Sequence, residues 1–404
     1  MKAKIKAFVK RNKLVYWLYF HIGSFFLRLL GLFVKTDPNL VLFISYGGQK
    51  YDDSPRVLYE YLKENDVLPS FRYIWAFLEP ECFPQVKNKV RVDTPTYYLT
   101  ALRAGYWITN SSASRGLNFK KKGTKYYLFQ HGMAGIKCIG ADIQSEKKAF
   151  SIGFQEQFDK IFIEGKCEIP ILSKAWKMNP TVFSTTGLPR NDDLVTVTDA
   201  EILSIKQRLG LPLDKKVILY APTFREFSRA RDGQNALGVP FHFEMWERQL
   251  GQEYVFLVTA HYEVAKLLDS LPDNHFVYNA FKYPELNDLI KVSDVLISDY
   301  SSIVFDYAIM ERPIFCYGYD YENYKSERGF YTDLEKLFSH GVLRTEDELL
   351  CSVRDMDYQA ECDFTKHKIK DQYIAAYGNA AQKAAVEIFG RNNVVGSAIS
   401  LNLL

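Results

Sequence analysis

Val295-Leu-Ile-Ser-Asp-Tyr-Ser-Ser-Ile-Val-Phe-Asp306 holds a strand, a turn and a helix start within twelve residues. The apolar run ends at Ser298, Asp299-Tyr300 turns the chain, and Ser301 and Ser302 stand where the helix opens. A helix start presents N–H groups that lack intrahelical partners, and neighbouring hydroxyls add donors, so this layout suits a phosphate. Asp306 falls on the same helix face as Ser302, four residues on. Beside a phosphate a carboxylate is unfavourable, so Asp306 is read as accepting from a ligand hydroxyl. The plainer alternative makes both serines ordinary N-caps and Asp306 a solvated helix residue, and spacing alone favours it.

Working outward, the same strand-then-helix rhythm recurs on both sides. Downstream of a join rich in proline (Pro180, Pro189, Pro212), strands are expected at 216–220, 254–259, 276–278, 295–298 and 313–316. Upstream, strands are expected at 39–45, 72–77, 106–109 and 125–129, with a helix over 55–65. Such alternation predicts two doubly wound, largely parallel sheets, with ligands bound beyond the carboxyl ends of the strands. The divisions expected are 1–36, 37–178, a cleft segment 179–212, 213–390 and a tail 391–404.

Composition narrows the class. The chain has 404 residues, 47% hydrophobic and 25% charged, which suits a globular protein of two domains. A net charge of +3 argues against the broad positive field of a nucleic-acid binder. Six scattered cysteines form no C-x-x-C pair, so neither a zinc site nor a disulfide framework is expected. The first segment is different. Lys2, Lys4, Lys6, Lys10, Arg11 and Lys13 precede any acid, and an aromatic-rich run follows from Leu14 to Val34. No A-x-A-like cleavage site follows, and His21, Gly23, Ser24 and Arg28 interrupt a spanning pattern. An interfacial helix on an anionic membrane surface fits better, with a buried amphipathic helix as the alternative.

Several polar residues fall just after strands. His131 follows Tyr127–Gln130 and precedes Gly132, where a neutral imidazole can take a proton from an attacking hydroxyl. His261 closes a similar run through Thr259 and Ala260. Pro222, Thr223 and Arg225 follow the strand at 216–220, and Arg190 lies in a turn. Arginine makes two-pronged bonds to phosphate, although a lone arginine is by default a surface ion-pair partner. No Walker loop, dinucleotide fingerprint, H-E-x-x-H pair or compact D-x-D motif is present, so no metal is expected.

The ordered set YWITNSS (106–112), YLFQHG (127–132), TGLPRND (186–192), YAPTFR (220–225), VTAH (258–261), SDYSSIVFDYAIMERPIFCY (298–317) and ERGFYTD (327–333) resembles the CDP-glycerol:poly(glycerophosphate) glycerophosphotransferases of teichoic acid synthesis. The likeness runs from about Leu40 to Lys370 and implies a GT-B-like fold, with acceptor and donor domains facing across a cleft. It implies His131 as catalytic base, and Gly132, Arg190, Pro222, Thr223, Thr259, Ala260, His261, Ser301, Ser302 and Asp306 as the donor pocket. The expected reaction moves glycerol phosphate from CDP-glycerol to a hydroxyl of a lipid-linked saccharide or teichoic-acid-like polymer, releasing CMP. The expected place is the cytoplasmic face of a bacterial membrane, with attachment peripheral. Rival readings are a CDP-ribitol donor, a nucleotide-sugar glycosyltransferase and a non-catalytic binder. The chain departs from the family where H-G-T-P-L-K-K becomes His131-Gly-Met-Ala-Gly-Ile-Lys137, and where R-M-H becomes Thr259-Ala-His261.

Overall fold

The computed structural model describes residues 12–143, 156–223, 240–259, 274–390 and 394. The basic start before Asn12, Arg225, Ala260 and His261 therefore lie outside the described residues.

Two parallel sheets organise the chain. The first contains β1 (Asp37–Ile44), β2 (Arg72–Phe77), β3 (Lys89–Arg91), β4 (Ala104–Thr109), β5 (Lys125–Phe129), β6 (Lys160–Phe162) and β7 (Phe183–Ser184), in the order β3-β2-β1-β4-β5-β6-β7. The second contains β8 (Lys216–Ala221), β9 (Tyr254–Val258), β10 (Val277–Asn279), β11 (Val295–Ser298), β12 (Ile314–Tyr317) and β13 (Val342–Leu343), in the order β10-β9-β8-β11-β12-β13. In each sheet the winding direction reverses once, between β1 and β4 and between β8 and β11. These are the points where such folds open a crevice.

Both faces of each sheet are covered, which is why the strands read as continuous apolar runs rather than alternating ones. Val217, Leu219 and Val255 pack on one side of the second sheet, while Ile218, Tyr220 and Phe256 pack on the other. The first sheet divides likewise, with Val41 and Phe43 on one side and Leu42 and Ile44 on the other. Two elements cross the sequence divisions. The strand β7 lies inside the cleft segment 179–212 yet is the edge of the first sheet. The last described helix, Ala380–Phe389, packs Ala384, Ala385, Ile388 and Phe389 into the first core, against Val41, Phe43 and Leu58.

Helix α1 (Lys13–Phe33) runs along the outside of the first domain. Phe20, Ser24 and Leu27 turn inward at helical spacing and are buried. Ser24 Oγ accepts from the N–H of Asn118 at 2.9 Å, and Arg28 Nε donates to the Asn118 carbonyl at 2.9 Å. Gly23 and Gly31 let the helix approach closely, since a Cβ at either would lie 3.2 Å from a leucine methyl. The opposite face is bare. Ile22, Phe25, Phe26, Leu32 and Phe33 are 61–82% exposed.

Candidate functional site

The strand ends of both sheets meet along one crevice. In the first domain, β1 and β4 end level with each other, with Ile44 paired to Thr109. The turn after β1 is held by the strand end beside it: Tyr46 N–H donates to Asn110 Oδ1 (2.7 Å) and Gly47 N–H to Ser111 Oγ (2.8 Å). Tyr46 has φ +46°, and its hydroxyl donates at 2.7 Å to Asp53, which has φ +66° at the start of α2 (Asp53–Glu64). Two residues with side chains in the left-handed region, bonded to each other, mark locally strained backbone of the kind that functional sites retain.

His131 leaves β5 at this edge. Its Nδ1 lies 3.1 Å from the Asn110 carbonyl oxygen. A carbonyl only accepts, so Nδ1 carries the proton and Nε2 keeps its lone pair. Burial against the crevice walls lowers the His131 pKa below the ordinary histidine value, helped by Arg190 and Lys137 and opposed by Asp53 and the Asn110 carbonyl. By its surface area the residue as a whole is nevertheless exposed, so the ring stays open to a substrate. A neutral imidazole with a free Nε2 is the form a general base requires.

The second domain comes up against the same point. A Cβ on Gly132 would collide with Ser302 Oγ, and one on Gly135 would lie 2.9 Å from the Phe305 ring. The residue after the histidine thus touches the serine turn that leads into α6 (Ile303–Ala308). Neither serine serves as a strong cap: Ser302 makes no cap bond, and Ser301 Oγ accepts from Ile303 N–H only at 3.4 Å. Because α6 has six residues, the local N–H and hydroxyl groups matter here more than any long-helix dipole. Asp299 is buried and accepts from Thr223 N–H (2.8 Å) and Tyr300 N–H (2.6 Å), joining Pro222 and Thr223 to this turn. Thr259 stands at the end of the neighbouring strand, its N–H donating to the Tyr220 carbonyl at 3.0 Å.

Arg190 and Asp306 come together in a different way from the sequence reading. Arg190 splits its two terminal nitrogens between two acids: Nη2 lies 2.7 and 3.0 Å from the two Asp306 carboxylate oxygens, and Nη1 lies 3.5 Å from Asp53. Asp306 is 4% exposed and also accepts from Asn191 Nδ2 at 2.7 Å. Its oxygens hold protein donors rather than facing open space, so the expected ligand hydroxyl finds this acceptor engaged. Desolvation would raise the Asp53 pKa, but Arg190, the Ser54 N–H and Tyr46 together hold it below the ordinary carboxylate value. One guanidinium therefore bonds a carboxylate from each domain.

Besides Asp53, two buried acids were missed by the sequence reading. Glu164 follows β6 and accepts from Asn191 Nδ2 at 2.6 Å. Glu168 opens α4 (Glu168–Trp176), which follows α3 (Pro95–Arg103) in chain order. It accepts from the N–H groups of Glu164 and Gly165 and, at 2.8 Å, of Ala134 in the loop after His131. The available signal was position: Ile163-Glu164 follows a strand end as His131 does, but polar flanks hid the three-residue strand. Burial, followed by the nearby Asp306 carboxylate, pushes the Glu164 pKa up. Folded protein then keeps a proton that unfolded protein loses above the ordinary glutamate range, so this group subtracts stability as pH rises. The substitution Glu164→Gln is expected to flatten that loss, with a melting temperature at or above wild type at alkaline pH; a lower value there would show that the charged form is the stabilising one.

The ERGFYTD segment has a role in this geometry. Past Gly135 the chain leaves its own domain and pairs with residues 328–332: Tyr331 N–H donates to Ile136 O (2.8 Å) and Cys138 N–H to Gly329 O (3.0 Å). Thr332 Oγ1 donates to Gly135 O (2.7 Å) and Arg328 Nε to Cys138 O (2.8 Å). Met133 and Ile136, residues at which the chain departs from the family pattern, pack in the core of the second domain. A further bridge joins Arg56 of α2 to Glu285 (2.7 and 2.8 Å), just ahead of α5 (Leu286–Val292). Among the described residues no group of three His, Cys, Asp or Glu is placed to hold a metal ion.

The profile of the CDP-glycerol:poly(glycerophosphate) glycerophosphotransferase family matches residues 26–390. A teichoic acid glycerol-phosphate transferase of Staphylococcus aureus is 32% identical over 87% of this chain and 93% of its own length. Teichoic acid poly(glycerol phosphate) polymerases of Staphylococcus epidermidis and Bacillus subtilis are 33% and 30% identical; the chain spans only 43% and 53% of their lengths. Structures of variants of the wall teichoic acid polymerase TagF superpose with TM-scores of 0.79 and 0.77, the second soaked with CDPG. The first of these is 28% identical and covers 90% of this chain and 92% of that one, which makes the fold GT-B-like. The chain belongs to the CDP-glycerol:poly(glycerophosphate) glycerophosphotransferase family.

Proposed function

We propose that the chain transfers glycerol phosphate from CDP-glycerol to a hydroxyl of a membrane-bound, teichoic-acid-like acceptor. The observation that carries this reading is the contact between Gly132 and Ser302, which sets an Nδ1-protonated histidine beside the serine turn of the other domain. The diphosphate lies against Ser301, Ser302, Pro222, Thr223 and Thr259, where hydroxyl and N–H donors converge from three strand ends. Nε2 of His131 takes the proton of the acceptor hydroxyl as its oxygen attacks the β-phosphorus. The bond from that phosphorus to the bridging oxygen breaks, and CMP leaves with the electron pair. Positioning and charge stabilisation are the protein's main means of speeding such transfers. Arg190 acts at one remove, fixing Asp306 and the turn at 189–194 rather than gripping the donor.

The acceptor side rests on α1. The helix is apolar and long enough to cross a bilayer, yet it is bonded to the first domain at Asn118, so peripheral attachment on the cytoplasmic face fits better. Phe25, Leu32 and Phe33 would each gain about 1.5–3 kcal/mol on entering the acyl boundary. The start of the helix reaches the segment after β4, with Tyr16 Oη 3.9 Å from a Cβ at Gly116, and the same segment carries Asn110, the partner of His131, so an acceptor held in the membrane enters from this side.

Incubation with CDP-glycerol, CDP-ribitol and a UDP-sugar, over a panel of lipid-linked acceptors, tests the reading by the nucleotide released. CMP from CDP-glycerol is the expected product. UDP from the sugar donor, or no turnover despite donor binding, would replace it with a glycosyltransferase or a binding protein. The pairing of residues 135–138 with 328–332 gives a smaller prediction. Thr332→Val removes one hydrogen bond to the loop of the base, worth about 1 kcal/mol. The expected result is a fall in kcat of roughly three- to tenfold with donor KM unchanged; an altered KM alone would place Thr332 in the donor site.

A further inference from the structure

At the far end of α1 from the crevice, the chain turns from Val34 into β1 beside the last turn of α3. A groove of about 530 Å³ opens there, lined by Val34, Lys35, Thr36, Asp37, Pro38 and Arg103. It adjoins Leu32 and Phe33, the most exposed apolar side chains of the helix at 79% and 82%. We propose that this groove binds the phosphate of an anionic phospholipid head group; the inference rests on the membrane reading above and deepens it.

Charge carries the argument. Lys35 and Arg103 are exposed and have no acidic partner among the described residues. Asp37, the one acid in the lining, is already engaged: it pairs with Arg72 and accepts from Asn39 N–H at 3.0 Å. Two helices end here, and their carbonyl ends would repel an anion. Lys121 offsets this by donating to the Val34 carbonyl at the end of α1 and, at 3.2 Å, to the Leu102 carbonyl in α3. The Lys121 stem runs past Gly31, where a Cβ would lie at van der Waals contact, 3.6 Å from it. The groove thus offers two unpaired cations and the Thr36 hydroxyl at the level where apolar side chains give way to polar ones. That is the depth of lipid phosphates when α1 lies in the interface. It opens at the amino ends of the strands, so it is separate from the crevice at their carboxyl ends.

The test uses the full chain and sedimentation with three kinds of vesicle. One is phosphatidylcholine alone, one includes phosphatidylglycerol, and one includes oleate at matched surface charge. Wild type is expected to prefer phosphatidylglycerol over oleate. Lys35→Ala with Arg103→Ala is expected to abolish that preference and weaken binding to phosphatidylglycerol by roughly tenfold or more. A control pair of exposed lysines, Lys87→Ala with Lys368→Ala, should change neither. Equal binding to both anionic vesicles by wild type, or an unchanged preference in the groove variant, overturns the proposal. So does inorganic phosphate binding that depends on Lys35 and Arg103 without any phosphatidylglycerol preference, which would make the ligand a soluble phosphate. Phe25→Asp with Leu32→Asp tests the underlying reading separately: it should lose all three vesicles, and if it binds like wild type, membrane attachment through α1 is itself wrong.

Discussion

Replacing His131 with alanine is expected to lower turnover roughly 100- to 10,000-fold while leaving donor binding near its wild-type value. The asymmetry follows from geometry. The ring is oriented by the Asn110 carbonyl in the first domain, whereas the proposed diphosphate contacts belong to the serine turn and strand ends of the second. The pH profile adds an independent readout. Burial and Arg190 favour the neutral ring, so Nε2 becomes available as pH rises through a pKa below the ordinary histidine value. The acid limb of kcat/KM should therefore have its midpoint below about 6.5, with a plateau through neutrality. Losing that limb in the alanine variant ties it to this residue. Near-wild-type CMP release from the variant would remove His131 from the role.

Most of this arrangement was legible in the sequence, because strands buried on both faces announce themselves as apolar runs. The strands at 72–77, 125–129 and 295–298 have the ends expected of them. What escaped detection was too short to carry a pattern: β3 and β6 have three residues each, and β7 and β13 two. The return of the last helix to the first core escaped for another reason. Its buried alanines, Ala384 and Ala385, suit any closely packed surface and do not say which one. The candidate site residues followed the same division. His131, Ser301 and Ser302 were singled out by their place after a strand, and the structure brings the loop of the first against the last. Arg190 and Asp306 were singled out too, but their bond to each other was not foreseen. A single arginine and a single aspartate more than a hundred residues apart give no sign of pairing until both are buried.

That pairing leads to the second large effect. Arg190→Ala leaves Asp53 and Asp306 buried without their shared cation, a loss of about 3–5 kcal/mol by the usual cost of breaking a buried ion pair. For domains of this size the melting temperature should drop by roughly 6–20 °C. The sign with pH is fixed by Asp53, whose folded pKa is depressed. Its contribution is present above the ordinary aspartate value near 3.9 and disappears as pH falls through the lower folded value. The stability gap between wild type and Arg190→Ala should accordingly narrow on acidification. Arg190→Lys should recover only part of the loss, because one ammonium cannot stand in for the two separate nitrogens that reach Asp306 and Asp53. The variant Arg190→Met with Asp53→Asn and Asp306→Asn removes the stranded charges and should regain most of the stability. If activity stays low in that refolded variant with donor affinity retained, Arg190 works by holding the two domains in register. If Arg190→Ala instead melts like wild type and fails to bind donor, the guanidinium belongs to the diphosphate, and its bond to Asp306 is only where it waits.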